Sequence, residues 1–560
     1  MLAQIPMEEL RVNTHVFPEE TTRLVVNSNL LLAGESLFYK VDNLTASKTK
    51  SNLSKIVYVA LKSEKDSVVF SHKLKLDNGM AQADFFIPAI LKTGKYNLIA
   101  YTNFSKNNTE NMFSEEEIYV INSFQSNNLD VAKDDLNITR IEAATPLKNK
   151  GEMTASGVTI ETNASTYSKR DLVSLNINNT LETAGYGNYS ISVRKMNGVQ
   201  VIKTNETVST SFTNDKQLFF IPELRGELIS GKIEALNSNV SVENIAIGLT
   251  IPGTDFIFKI AKTNASGRFF FSVDESYQTA NCLLQIEAVN KKDYRLILDS
   301  KEISIKGANN KKEVVVLDKS IETWLAQRSV ELQIENAYFN SDNSQFKTQA
   351  PNPPFFGNLG TEYILDEYTR FPSVEETFVE VITLAGTRKF GEATRFVVFD
   401  AYDPEGKAQF SSFAPLLLVD GMLVQDASQI LGYDSAKIKS IRVLAEAYRY
   451  GARIYSGIIA FTTIKGDFKP NLNGDFMSTF ELQGLIAPKQ IHWPNYAADS
   501  SSRIPDYRNQ LYWNPIVSVS ANSEIQTFYT SDIMGSFEVI LEGYTNDGNY
   551  ITSKQYFTVE

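Results

Sequence analysis

Residues 414–425, APLLLVDGMLVQ, with their continuation DSAKIKSIRVLAEAYRYGARIYSGIIAFTTIKG at 434–466, decide how this chain is read. Leu416 to Val419 form a short apolar run closed by the turn pair Asp420-Gly421, which is the signature of a buried strand. A short helix is expected to begin near Asp434. A strand IKSIRVL, a turn containing YGARIYSG and a closing strand GIIAFTTIKG follow. Just upstream, FPSVEETFVEVI sets Ser373 and Glu376 as a capping box before Val374, Phe378, Val381 and Ile382 on one helical face. Residues 371–467 thus read as one small α+β module.

Outward from that module the period is two. TRLVVNS, SLFYKVDNL, KIVYVALKS, SVVFSHKLKL, AQADFFIP, KYNLIAYTNF and EEIYVINSF are alternating runs separated by turn residues, and they predict an antiparallel β-sandwich over 1–125. Asp77–Gly79 and Gly94 are placed to supply positive φ at its hairpins. Residues 126–156 read as a linker, and VTIETNASTYSKRDLVSLNI opens a second sandwich over 157–222. In 223–306, Gly267 permits a tight hairpin that sends Phe269 and Phe271 to one face of the next strand and into a core. A helix-and-loop connector spans 307–370. Asp318 or Ser320 caps its helix, Ile321, Trp324, Leu325 and Arg328 are spaced along it, and the aromatic loop KTQAPNPPFFGNLG follows. From 475 to 560, STFELQGLIAP, QLYWNPIVSVS, SEIQTFYTSD, GSFEVILEGYTNDG and ITSKQYFTVE predict one more sandwich. The fold class is therefore mainly β and multidomain: tandem Ig-like β-sandwiches with one small α+β domain.

Composition excludes several functions. A formal net charge of −12 without long basic runs argues against nucleic acid and against an anionic membrane surface. No run of 18 apolar residues exists, so no transmembrane helix is expected. The start MLAQIPMEEL lacks a basic segment followed by an apolar core, so an export signal is expected to be either removed or absent from this sequence. The lone Cys282, in TANCLLQIEAV, cannot form an internal disulfide and reads as a small buried hydrophobe. His15, His72 and His492 fall in separate domains, His72 on a sheet face and His492 packed in a loop beside Trp493, so no nucleophile–base dyad is assembled. Asp400, Asp403 and Glu405 lack calcium-loop spacing, and a type I turn accounts for Pro404 and Gly406. Catalytic, metal and cofactor residues are accordingly assigned as none, and the chain is expected not to be an enzyme. Tyr448, Tyr450 and Tyr455 are the candidates for stacking on sugar rings, with core and turn packing as the ordinary account.

Several stretches resemble known families. NSNLLLAGESLFYKV, LSKIVYVAL, VVFSHKLKLDNGMAQADFFIP, LKTGKYNLIAYTNF and EEIYVINSF, over about 10–123, resemble the second macroglobulin domain (MG2 family) in the form carried by outer-membrane-associated proteins of Bacteroidota-type bacteria. NASTYSKRDLVSLNI repeats the opening of that domain. Thr263, Gly267, Phe269 and Phe271 match the carboxypeptidase regulatory-like sandwich. PLLLVDGMLV with LGYDSAKIKSIRVLAEAYRYGARIYSGIIAFTTIKG resembles the plug domain of TonB-dependent receptors, Tyr450, Gly451, Ala452 and Gly457 keeping most of its turn. The barrel such a plug closes needs roughly 22 strands of about 10 residues each. Residues 467–560 cannot supply them, so the expectation is a plug-like module without a channel of its own. YWNP, TFYTSD and GSFEVILEGYTNDG resemble the macroglobulin-type domain that closes the same bacterial proteins. The CGEQ thioester of macroglobulin protease traps is missing, since Leu-Leu-Gln follows Cys282.

The resemblances imply an exported, outer-membrane-associated binding subunit, on the periplasmic face or at the cell surface. It would dock on an outer-membrane β-barrel protein or complex in transport, secretion or assembly. The alternative is a surface glycan-binding or adhesion protein.

Overall fold

A computed structural model describes residues 19–108, 111–125, 136–144, 157–203, 219–253, 255–299, 312–338, 345–346, 353–391, 393–399, 413–466, 468–471, 473–487, 489–497, 503–521 and 525–560. The chain divides into two compact units, one of residues 11–224, 302–347 and 486–560, the other of 1–10, 225–301 and 348–485. Both are mainly β. Among the described residues no helix is long and apolar enough to cross a membrane.

In the larger unit, the first sandwich stacks two sheets. One is ordered Glu20–Val26, Ser36–Thr45, Met80–Phe86; the other Leu30–Leu32, Ser114–Ile121, Gly94–Tyr101, Ile56–Ser63, Val68–Lys75. Alternation places Leu37, Tyr39 and Val41 of one sheet against Val57, Val59, Leu98 and Val120 of the other. Each such side chain, fully buried, contributes about 1.5–3 kcal/mol, so the core rather than the turns holds the sandwich. Asn78 (φ 48°) and Gly79 (φ 73°) form the expected hairpin turn between Asp77 and Met80. Gly94 differs from expectation: it has no positive φ and opens its strand opposite Val120, because the chain turns before it.

The two sandwiches expected at 157–222 and 475–560 are a single one. Its small sheet runs Val158–Thr162, Leu172–Asn179, Gln526–Tyr529. Its larger sheet runs Thr166–Tyr167, Tyr550–Val559, Gly535–Thr545, Gly187–Lys195, Gln510–Val519. Gly187–Lys195 lies between two C-terminal strands, paired from Gly187↔Thr545 to Lys195↔Phe537 on one side and to Gln510–Val519 on the other. Val173, Leu175, Tyr189 and Ile191 share one core with Val517, Phe528, Phe537 and Leu541. Alternation reveals which face of a strand is buried but not which distant strand covers it.

Two further boundaries move. Met477–Leu482 leaves the C-terminal sandwich and pairs with Ala280–Glu287. Within the expected linker 126–156, Leu136–Ala143 is a strand, antiparallel to Val199–Lys203 and parallel to Lys312–Leu317. Asp318 then caps the turn Lys319–Ile321 by accepting from Ser320 N, and helix α1 (Glu322–Tyr338) follows. Ile321 and Leu332, with Trp324 and Leu325 beside them, close over Leu30, Leu32, Ile121 and Ile141.

In the smaller unit, one sandwich packs Glu227–Ala235 and its neighbours Arg268–Val273 and Tyr294–Leu298 against a sheet of Ile257–Lys262, Ala246–Ile251, Ala280–Glu287 and Met477–Leu482. Gly267 (φ +75°) makes the predicted turn, and Phe269 and Phe271 enter the core. Joined by Thr361–Ile364, which leaves the expected connector 307–370, the quoted stretch completes a five-stranded sheet ordered Thr361–Ile364, Ile438–Leu444, Ile458–Thr463, Leu416–Val419, Met422–Leu423. Helix α2 (Val374–Glu380) is capped by Ser373, whose hydroxyl accepts from Glu376 N at 3.2 Å. The short α3 (Ser428–Leu431) precedes Asp434, which caps the single turn Ser435–Lys437. The sheet is covered twice. Leu417, Val419, Ile459 and Phe461 meet Val374, Phe378 and Ile430 on one face, while Leu416, Leu418, Ile458 and Ala460 meet Phe258 and Phe356 on the other.

Candidate functional sites

The side chains singled out in the α+β module hold structure together. Asp420 (φ 49°) and Gly421 (φ +79°) make the turn after Leu416–Val419. The Asp420 carboxylate accepts from Thr463 N at 2.8 Å and from Thr463 Oγ1 at 2.7 Å, tying the turn to the closing strand. Phe256 of the adjoining sandwich lies over Gly421, within 2.1 Å of where a Cβ would stand, so only glycine fits.

The three tyrosines are occupied in the same way. Tyr450 stacks on Phe355 at 4.0 Å between ring centroids and donates to the Phe258 carbonyl, and Tyr448 donates to the Phe355 carbonyl at 3.3 Å. Tyr455 is buried, with its hydroxyl 3.1 Å from Glu287 Oε2, an oxygen that also accepts from Arg453 Nε at 3.1 Å. Phe355 and Phe356, from the aromatic connector loop, pack into this cluster. These rings join the α+β module to its sandwich, the core and turn packing that was the ordinary account of the three tyrosines.

His15, Asp400, Asp403, Pro404, Glu405 and Gly406 lie outside the described residues. His72 Nδ1 is 2.6 Å from the Tyr39 hydroxyl, with the Phe70 ring tilted against it at 4.4 Å between centroids. Burial lowers its pKa to about 4 against the opposing pull of Asp84, so the imidazole is neutral at physiological pH. Cys282 is buried in the core beside Leu284 and Ile286. Among the described residues no three His, Cys, Asp or Glu side chains are grouped to hold a metal ion.

Sequence reading missed a charged cavity of about 360 Å³ inside the larger unit, lined by both of its sandwiches, α1 and the segment Lys489–Trp493. At its base Glu35, in the turn before Ser36–Thr45, accepts from Arg194 Nη2 at 2.8 Å, Arg328 Nε at 2.9 Å and Leu32 N at 3.0 Å. Burial alone would raise the Glu35 pKa. The two guanidiniums outweigh it and hold the carboxyl at about 2. Gly34 (φ +99°) lets α1 approach the turn: Asn336 donates to the Gly34 carbonyl at 3.1 Å, and a Cβ would stand 3.0 Å from that amide nitrogen.

Glu335 Oε2 lies 3.6 Å from Arg328 Nη2 and accepts no hydrogen bond from the described residues. Burial pushes this carboxyl up to about 7, against the attraction of Arg328. Two further pairs are matched one to one: Lys489 with Asp84 at 3.1 Å, and the buried Arg508 with Asp506 at 2.8 and 2.6 Å. Phe38, Phe86 and Trp493 supply ring surfaces, and the exposed His492 lies at the cavity. The one sequence signal was Arg328, a charge in register with the apolar face of α1.

No family model and no curated protein matches this chain. Among solved structures it is similar to Salmonella alpha-2-macroglobulin reacted with methylamine, at 9% identity and a TM-score of 0.24 over 97% of this chain and 39% of that one. It is also similar to Escherichia coli alpha-2-macroglobulin activated by porcine elastase, at 9% identity and a TM-score of 0.25 over 97% of this chain and 44% of that one. The three N-terminal domains of the bacteriophage RB49 Highly Immunogenic Outer Capsid protein match 54% of the chain at 9% identity and a TM-score of 0.13. The chain spans about two fifths of the length of the macroglobulins it matches. At these scores the likeness carries no argument about activity.

Proposed function

We propose that this chain is a non-catalytic binding subunit, exported and held at the outer membrane, which docks its α+β plug-like module and β-sandwiches onto a β-barrel partner. The observation that carries the reading is the double cover of the plug-like sheet. With Leu417 and Val419 sealed on one face and Leu416 and Leu418 cemented to a sandwich on the other, the module is a fixed shape, suited to recognition rather than to movement as a gate. The docking side is assigned to α2 and the hairpin Ala385–Phe390/Ala393–Val398 packed on it, where Val379 is 73% and Phe390 51% exposed. The burial of Cys282 in a sandwich core and the neutral state of the half-buried His72 support a role without bond chemistry. The macroglobulin- and plug-like motifs support the outer-membrane setting.

The test is a photo-crosslinking amino acid placed at 379 or 390 in the native host, with the adduct identified by mass spectrometry. An outer-membrane barrel protein is expected at both positions, and its yield should fall when the neighbouring site carries Val379→Asp or Phe390→Asp. Adducts confined to proteins that are not barrels would overturn the reading.

A further inference from the structure

Two guanidiniums, Arg194 and Arg328, share the single carboxylate of Glu35; Arg328 also lies 3.6 Å from Glu335 and 4.0 Å from Glu331, which itself pairs with Lys195 at 3.3 Å. The other cations at the cavity are matched: Lys489 by Asp84 and Arg508 by Asp506. Glu335 offsets Arg328 only in part: its Oε2 accepts no hydrogen bond from the described residues, and burial raises its pKa to about 7. Arg194 Nε and Arg328 Nη1 moreover donate to no acceptor among the described residues. A buried cation with unused donors favours an incoming anion.

Aromatic rings also line the cavity. Phe38 is edge-on to Trp493, with 6.4 Å between centroids, and Trp493 is backed by Tyr512 at 6.0 Å. Phe86 is 53% exposed. A bare carboxylate would meet the arginines and leave these rings uncovered, whereas a hydrocarbon would do the reverse. A sugar ring bearing one carboxylate meets both demands, its C–H face on the aromatic rings and its hydroxyls toward Ser36, Asn336 and His492.

We infer that this cavity binds the carboxylate-bearing sugar of an acidic glycan. Glu335, which faces Arg328 on its own helix and Glu35, Arg194 and Arg508 from the two sandwiches, is driven toward its protonated form as the anion enters. Binding therefore takes up a proton and weakens from pH 6 to pH 8. This site is independent of the barrel-docking surface.

The experiment is calorimetric titration of the full chain with methyl glucuronide, methyl glucoside, benzoate and an acidic peptide. The glucuronide is expected to bind about tenfold or more tightly than the glucoside, the difference carried by hydrogen bonds to charged groups. Trp493→Ala and Phe86→Ala, which leave the ion pairs untouched, should each weaken it about tenfold with an unchanged circular dichroism spectrum. Equal binding of glucoside, tighter binding of benzoate or peptide, undiminished binding by both variants, or no glucuronide binding at millimolar concentration by folded protein would each overturn the inference.

Discussion

Arg328 is buried on α1, the helix whose Leu325 and Leu332 join an apolar cluster. Its charge is tolerable there because Glu35, itself held by Arg194, lies within 2.9 Å, with Glu335 at 3.6 Å and Glu331 at 4.0 Å beside it. Arg328→Met keeps much of the packing volume and strips Glu35 of one of its two counter-charges, which should cost about 3–5 kcal/mol of stability in urea unfolding at pH 7. The pH dependence follows from the sign of the shift. Glu35 titrates at about 2 when folded and near 4.5 when unfolded, so its stabilisation is complete above pH 4.5 and disappears as pH falls through 2. The gap between wild type and Arg328→Met should accordingly narrow over that window. A gap that stays constant down to pH 2 would assign the loss to packing. Much at this scale was legible in the sequence: Phe269 and Phe271 in a core, Ser373 as a cap, Cys282 as a buried hydrophobe. Glu35 was not, because its partners lie far along the chain at 194 and 328.

Elements marked by local chemistry were read well, and Gly267 shows why. Its φ of +75° lies where side chains are strained, and a Cβ would come within 2.7 Å of the Ile233 carbonyl. Gly267→Ala should lower the stability of its sandwich by about 1–3 kcal/mol. Gly466→Asn, at φ +62° with open space around it, should cost about 0.5 kcal/mol or less. Thermal unfolding of the two variants separates turn geometry from mere loss of glycine, and equal shifts would refute the steric account. Elements whose stability comes from distant pairing were missed. Leu136–Ala143 sits in a polar, pattern-poor stretch, and its strand neighbours come from 199–203 and 312–317. Gly94 was misplaced because a glycine near a turn signals the turn without fixing which residue takes the positive φ.

Across the whole molecule, the second sandwich makes residues 157–195 dependent on the chain's last strands. Deleting 503–560 removes both neighbours of Gly187–Lys195 and exposes Tyr189, Ile191 and Val193. The shortened protein should be cut by trypsin at Arg194 and Lys195 at least about tenfold faster, in line with local unfolding, while the first sandwich stays protected. Equal protection of 157–195 in the shortened and complete proteins would show that this segment folds without its C-terminal partners. Period-two alternation, turn residues and the apolar run at Leu416–Val419 were enough, by themselves, to establish a mainly β chain with one α+β module, because these features arise from each residue's neighbours and from which face avoids water. Which strands share a sheet, that two predicted sandwiches are one, and that Glu35, Arg194, Arg328 and Glu335 meet around a cavity were decided only in the tertiary structure. The contacts that close the second sandwich and bring Glu35 to Arg194 and Arg328 join residues more than a hundred positions apart, and local pattern constrains a strand's buried face without naming what covers it.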